Sequence, residues 1–221
     1  MSSKASPQQY GRHEKQLVRV NRAILSGDMT TLHPALQGEK VVLARLRQED
    51  IPELARFFSN LELTTYLGGS GQAYSLEDER AYFESISKSS AGQVTFGIYD
   101  VADGRLLGGI DLRDINHRHG TAELGVSIHD PACWSGGYGS EAVRLMTGYG
   151  VFHLGLHNIM LRVFSFNTRG IRAYQKVGFQ EFGRRRGTVR LGHERFDTVF
   201  MEITAEQVDT AALRAQLHLL P

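Results

Sequence analysis

From residue 39 onward, apolar positions fall into short runs and helical stripes that follow one another along the chain. "EKVVLARLR" (39–47) reads as a strand. "QEDIPELARFFSN" places Ile51, Leu54, Ala55 and Phe58 at helical spacing. "SLEDERAYFESI" opens a second helix at Ser75, with Asp78 three residues on as its capping-box partner. "QVTFGIYD" and "GRLLGGIDLRDI" read as a hairpin around an Ala102–Gly104 turn. "TAELGVSIHD" is a further strand, stopped by Pro131. A long helix follows at roughly 137–154, with Ala142, Leu145, Met146, Tyr149 and Phe152 on one face. Gly155 stands where its C-cap belongs. "IMLRVFSF" is a strand and "TRGIRAYQKV" a short helix closed by Gly178. "EFGRRRGTVR" and "ERFDTVFMEI" form a last strand pair. The order β-α-α-β-β-β-α-β-α-β-β predicts a mixed α/β (α+β) domain around one sheet. The chain divides into an extension (1–37), the domain (38–205) and a tail (206–221) that reads as helical.

Composition narrows the class. With 221 residues, 41% of them hydrophobic, the chain can bury one core without staples. A net charge of +1 provides no global field for nucleic acid or membrane. The single Cys133 cannot form an internal disulfide, which fits a reducing compartment. "MSSKASPQQYGRHEKQ" lacks the apolar core of a secretory signal, and no apolar run approaches the roughly 18 residues of a span. The expectation is a soluble, cytoplasmic protein. Residues 1–37 carry five basic side chains (Lys4, Arg12, Lys15, Arg19, Arg22) against two acidic ones (Glu14, Asp28). That is too sparse for a nucleic-acid patch. "EKQLVRVNRAIL" within them sets Leu17, Val20, Ile24 and Leu25 on one side of a short helix.

The chemistry concentrates in "WSGGYGSEA" (134–142). Three glycines in four residues precede a helix, although glycine inside a helix costs about 1 kcal/mol against alanine. A helix N-terminus presents unpaired N–H groups and the positive end of the dipole. Without Cβ atoms, an anion can approach those groups closely, so the stretch reads as a phosphate or pyrophosphate cradle. The P-loop lysine and the G-x-G-x-x-G spacing are both absent, so phosphate binding is expected without nucleoside triphosphate hydrolysis. No histidines or acids show metal-ligand spacing, so no metal is expected.

The run Ala122–Phe179 resembles the GCN5-related N-acetyltransferases, closest to the branch with ribosomal-protein N-terminal and spermidine acetyltransferases. The matching residues are "AELGVSI", Pro131 and Trp134, the pair Gly137 and Gly139 with Glu141 and Ala142 behind, then Asn167, Tyr174, Lys176, Gly178 and Phe179. The resemblance implies a mixed, mostly antiparallel sheet of about seven strands, flanked by helices and splayed between the fourth and fifth. It implies acetyl-CoA as donor, with its pyrophosphate on Ser135, Gly136, Gly137, Tyr138, Gly139 and Ser140, beside Trp134. The pantetheine arm enters the splay and pairs with the backbone of Val126 to Ile128, where one N–H polarises the thioester carbonyl. Asn167 is an N-cap by residue type, and the resemblance implies that it also contacts the arm. Tyr174 is the candidate to protonate the leaving thiolate, and Glu123 the candidate to accept the amine's proton, directly or through a water held by Ser127. The implied reaction is direct attack of a primary amine on the thioester through a tetrahedral intermediate. A homodimer is implied too.

Two positions depart from the branch pattern. Gly170 replaces a serine and Gly136 a basic residue; Arg169 and Arg172 offer compensation. His129 and the cluster His117, Arg118, His119 are weaker rivals to Glu123 and read as surface residues. Acceptor choice falls to the first helices and last hairpin. "TTYLGGSGQAYS" (64–75) forms a candidate lid, and Arg184 to Arg186 face solvent. A polyamine would require carboxylates to converge from among Glu62, Glu77, Asp78 and Glu84; a protein N-terminus or other small amine fits equally. Two other classes stay open: a non-catalytic acyl-CoA sensor, and an interaction protein on the same scaffold.

Overall fold

The computed structural model describes residues 32–68, 71–88 and 90–216. Its strands are β1 (Pro34–Gln37), β2 (Val41–Ala44), β3 (Val94–Asp100), β4 (Leu106–Asn116), β5 (Thr121–Ile128), β6 (Asn158–Phe164), β7 (Gln180–Leu191) and β8 (Glu194–Thr204). Its helices are α1 (Ile51–Phe58), α2 (Leu61–Tyr66), α3 (Leu76–Ser87), α4 (Tyr138–Leu154), α5 (Thr168–Val177) and α6 (Ala211–Gln216). The strands form one sheet in the order β1-β2-β3-β4-β5-β6-β8-β7, antiparallel except for the parallel β5–β6 pair.

The sheet has eight strands where about seven were expected. The addition is β1, which lies inside the stretch read as an extension. Gly38 donates its N–H to Val41 O at 2.8 Å, closing a tight turn that lays β1 back on β2 and buries Leu36. Helix α2 is also new: Asn60 caps it, its Oδ1 accepting the Glu62 N–H at 2.9 Å. Residues 64–66 of the candidate lid therefore belong to a helix, while Gly69 and Ser70 lie outside the described residues. The helix read within residues 14–25 also lies outside them. In the tail, α6 buries Leu213 against the core.

Both faces of the sheet are covered. Val41 and Leu43 of β2 join the larger core with Ala142, Val143 and Met146 of α4, while Val42 and Ala44 pack with Leu54 of α1 and Tyr99. Each buried Val, Leu or Met among them contributes about 1.5–3 kcal/mol. Asp50 anchors the start of α1, accepting the Tyr99 hydroxyl at 2.6 Å and the Arg47 guanidinium at 2.9 Å. Along β3–β5, Ile110, Leu112, Leu124 and Val126 face α4, and Thr95, Asp111, Gly125 and Ser127 face the side of α1–α3.

Candidate active site

Strands β5 and β6 pair only through Thr121–Asn158, Ala122–Ile159 and Glu123–Met160. Beyond that they part, at the place expected: the fourth and fifth strands of the sequence count are β5 and β6 once β1 is included. The separation opens into a cleft of about 1190 Å³ between the splayed strands, the start of α4, α5 and the α1–α3 layer.

The glycine stretch forms one wall. Ser135 (φ 62°) and Gly137 (φ 89°) take left-handed backbone conformations, and Gly137 is the N-cap of α4. Gly137 has no side chain to cap the first turn. Ser135, Gly137, Tyr138, Gly139 and Ser140 line the cleft. Gly136 does not, because the loop turns its carbonyl outward to accept Lys40 Nζ at 2.8 Å. Glu141 ties the β1–β2 turn to this loop by accepting the backbone N–H of Glu39 and of Lys40. Lys40 thus supplies a cation beside the loop where Gly136 stands in place of the branch pattern's basic residue.

Trp134 crosses the mouth. Its indole N–H donates to Ile128 O at 2.8 Å, so that carbonyl is occupied, while Val126 and Ile128 still border the cleft. The Arg169 guanidinium stacks 3.6 Å from a Trp134 ring centroid, and Tyr66 meets the indole edge-on at 5.6 Å. Asn167 caps α5, its Oδ1 accepting the Gly170 N–H at 2.9 Å. Arg169, Arg172 and Lys176 make the α5 wall cationic.

Tyr174 lines the same cleft and packs against Phe179. Burial pushes its hydroxyl up to about 12, so it stays protonated at neutral pH. Ser127 also faces in, its Oγ 3.0 Å from His129 Nε2. His129 is buried against Phe57 and Phe58 rather than on the surface. Burial depresses it to about 3, which keeps the imidazole neutral.

Glu123 does not line the cleft. It is buried behind the wall, where Oε1 accepts from Arg113 and from Arg162 (Nε at 3.0 Å). Burial works against its charge, but the two guanidiniums outweigh that and hold the carboxyl below its ordinary range. Such a carboxylate is a weak proton acceptor. The base expected from strand position is an ion-pair centre because β4 and β6 each point an arginine at it.

Of the four carboxylates considered for an acceptor site, Asp78 alone lines the cleft. It is committed to the α3 capping box, accepting the Ser75 N–H at 2.8 Å. The other carboxylates that line the cleft are Glu79 on α3 and Asp111 on β4, and Tyr82 and Thr95 line it too. A signal for Glu79 was present: it interrupts the helical stripe Leu76, Phe83, Ile86 with an acid. Asp111 lies opposite Gly125 across β4–β5, where a Cβ would collide with its carboxylate. On edge strand β7, Arg184 pairs with Glu181 at 2.6 Å. Among the described residues there is no group of three or more potential metal ligands and no helix long and apolar enough to cross a membrane.

A family profile described as "Acetyltransferase (GNAT) domain" matches residues 40–180. The chain belongs to the GNAT acetyltransferase family. This GNAT chain is 29% identical over 157 residues to the uncharacterized N-acetyltransferase YoaA of Bacillus subtilis (strain 168), covering 69% of this chain and 86% of that protein. Its enzyme class is N-acetyltransferase. The GNAT fold is shared with spermidine N-acetyltransferase from Vibrio cholerae, solved with CoA and spermine (TM-score 0.69, 22% identity, 77% of this chain and 99% of that one). It is shared equally with Mycobacterium smegmatis RimJ, solved with CoA-disulfide (TM-score 0.69, 20% identity, 80% and 88%).

Proposed function

We propose that this protein moves an acetyl group from acetyl-CoA to a primary amine. One observation supports this most directly. A single cleft joins a glycine-lined helix start and a cationic α5 wall to a carboxylate-lined wall on α3 and β4. The first half suits the phosphates of CoA, the second a cationic amine, and the strand splay lies between them. The solved relatives with CoA or CoA-disulfide support the donor, and the one with spermine supports a cationic acceptor.

The residues divide the work. The α4 first turn, with Ser135 and Gly137 to Ser140, holds the pyrophosphate. Backbone groups of Val126 to Ile128 line the pantetheine path, and an N–H among them polarises the carbonyl. Asn167 orients the start of α5. The neutral amine attacks the thioester carbon, the C–S bond breaks, and the leaving sulfur takes its proton from Tyr174. Ser127, hydrogen-bonded to a neutral His129, holds the amine or a water at the attack position. Cytoplasmic action and a homodimeric assembly complete this reading; light scattering checks the latter.

The test is acetyl-CoA binding by calorimetry, followed by thiol release with polyamines, aminoglycosides and short peptides with free N-termini. Tyr174→Phe should lose on the order of 100-fold or more in turnover, the usual scale for a general acid. Acetyl-CoA should bind the variant within twofold of wild type. Binding without thiol release for any amine would favour a sensor. Full activity in Tyr174→Phe would remove the tyrosine from the mechanism.

A further inference from the structure

Glu79 is a buried acid without a visible counterpart. It is 4% exposed, and its Oε2 has no hydrogen-bond partner among the described residues. Buried carboxylates are normally paired, because leaving one unsatisfied costs the desolvation of the group. The surroundings do not relieve it. Leu46, Leu54 and Phe58 provide an apolar floor in the same cleft. Asp78, its neighbour on α3, adds negative charge, and burial with that charge pushes Glu79 up to about 7.

The facing strand presents a second under-satisfied acid. Asp111 meets Arg113 only at 3.2 and 3.5 Å, while Arg113 gives its closer contact to Glu123. Burial pushes Asp111 up to about 6 despite that arginine. Tyr82 of α3 and Thr95 of β3 line the same cleft as the two acids. Further along β5 and β6, Glu123 and Arg162 neutralise one another. His129 stays neutral. Glu79 and Asp111 therefore line one cavity with Asp78, which its capping box holds, and with Arg113, which Glu123 shares; Arg162 is paired with Glu123, and Arg169, Arg172 and Lys176 stand on the α5 wall.

We propose that Glu79 and Asp111 form the seat for the acceptor's ammonium nitrogen, and that Glu79 takes its proton. The proposal rests on the acetyl-transfer reading above. An ammonium carries three N–H donors, matching Glu79 Oε2, an Asp111 oxygen and the hydroxyl of Thr95 or Ser127 on the same face. Asp111 lies across from Gly125, which adjoins Val126 at the splay. In the first step R–NH3+ gives one proton to the Glu79 carboxylate, leaving neutral R–NH2 and a carboxylic acid. The nitrogen lone pair then forms the C–N bond as the C–S bond breaks. Tyr174 protonates the sulfur, and the nitrogen's second proton restores Tyr174 through solvent. Glu79 releases its proton to bulk water, so one proton leaves per turnover.

The test compares wild type, Glu79→Gln and Asp111→Asn in the full chain, with n-butylammonium and spermidine as probes. Three quantities are read: amine binding by calorimetry in two buffers of different ionisation heat, kcat/KM against pH, and acetyl-CoA Kd. Expected for Glu79→Gln are at least a tenfold weaker amine response, loss of the kcat/KM inflection near pH 7, and acetyl-CoA Kd within twofold of wild type. Asp111→Asn should raise KM more than it lowers kcat. If wild type turns an amine over and Glu79→Gln does so equally with the same pH profile, the seat is wrong and the transferase stands. If wild type binds butylammonium through Glu79 yet transfers nothing, the seat stands and the transferase reading falls. If wild type neither binds nor turns over either amine, the seat is wrong.

Discussion

The amide of Asn167 covers Gly170: its Oδ1 accepts the Gly170 N–H at 2.9 Å, and its Nδ2 lies 2.6 Å from where a Cβ on residue 170 would stand. The glycine that departs from the branch pattern is thus the space the cap occupies. Gly→Ala in a helix ordinarily gains about 1 kcal/mol, while losing an Asn cap costs about 1 kcal/mol. In wild type the two should nearly cancel. In an Asn167→Ala background, Gly170→Ala should stabilise by about 1 kcal/mol more than it does in wild type. Chemical denaturation of the four proteins gives that coupling; simple additivity would mean the side chain does not cover residue 170 in solution.

Gly137 sits at φ 89°, and a Cβ there would stand 3.4 Å from Lys40 Nζ. Gly137→Ala places a side chain in the left-handed region, at about 1–2 kcal/mol. For a domain of this size that lowers Tm by roughly 2–8 °C. The same methyl group crowds the N–H cradle, so acetyl-CoA affinity should fall at least tenfold by calorimetry. A strained variant that still binds acetyl-CoA as wild type does would move the phosphates away from this loop.

These two positions were visible in the sequence to different degrees. "WSGGYGS" announces itself because all its parts are consecutive, and the glycine pair needs only a following helix to make sense. The splay was visible through the resemblance carried by "AELGVSI". The proposed acceptor wall was not, because Glu79 and Asp111 come from different elements and line one cleft only when the chain is folded. The same holds for Glu123: strand alternation put it on the correct face with Gly125 and Ser127, but not the arginines that β4 and β6 aim at it. Leu36 shows a third reason. One apolar residue in a polar stretch is enough to hold β1 when a tight turn at Gly38 delivers it to β2, and a periodicity argument needs more than one.

Glu123→Gln separates an ion-pair centre from a base. The pair is buried on the Glu123 side but the two arginines are partly exposed, so removing its charge is expected to cost about 1–3 kcal/mol. The folded-state carboxyl is held below its ordinary range, first against burial and then through Arg113 and Arg162. Its contribution is therefore complete above the unfolded value, about 4.3, and is lost as pH falls through the lower folded value. The stability gap between wild type and Glu123→Gln should close in acid, as followed by denaturant titration between pH 7 and pH 3. A variant as stable as wild type at pH 7 but without turnover would restore Glu123 as the base.

Glu79 makes the opposite prediction. Its folded-state carboxyl is raised to about 7 by burial, with Asp78 adding to it. Between about 4.3 and about 7 the folded protein holds a proton that the unfolded chain has released, so stability declines as pH rises through that window. The side chain is 4% exposed, so the loss between pH 5 and pH 7.5 is of order 2 kcal/mol. Glu79→Gln removes that dependence. It should be more stable than wild type at pH 7.5 and nearly equal at pH 5, and thermal melts at the two pH values decide it. A bound cationic amine should lift wild type alone at pH 7.5, because it supplies the counter-charge the fold leaves out. Equal slopes for the two proteins from pH 5 to pH 7.5 would mean that Glu79 ionises as an ordinary surface carboxylate and is open to water.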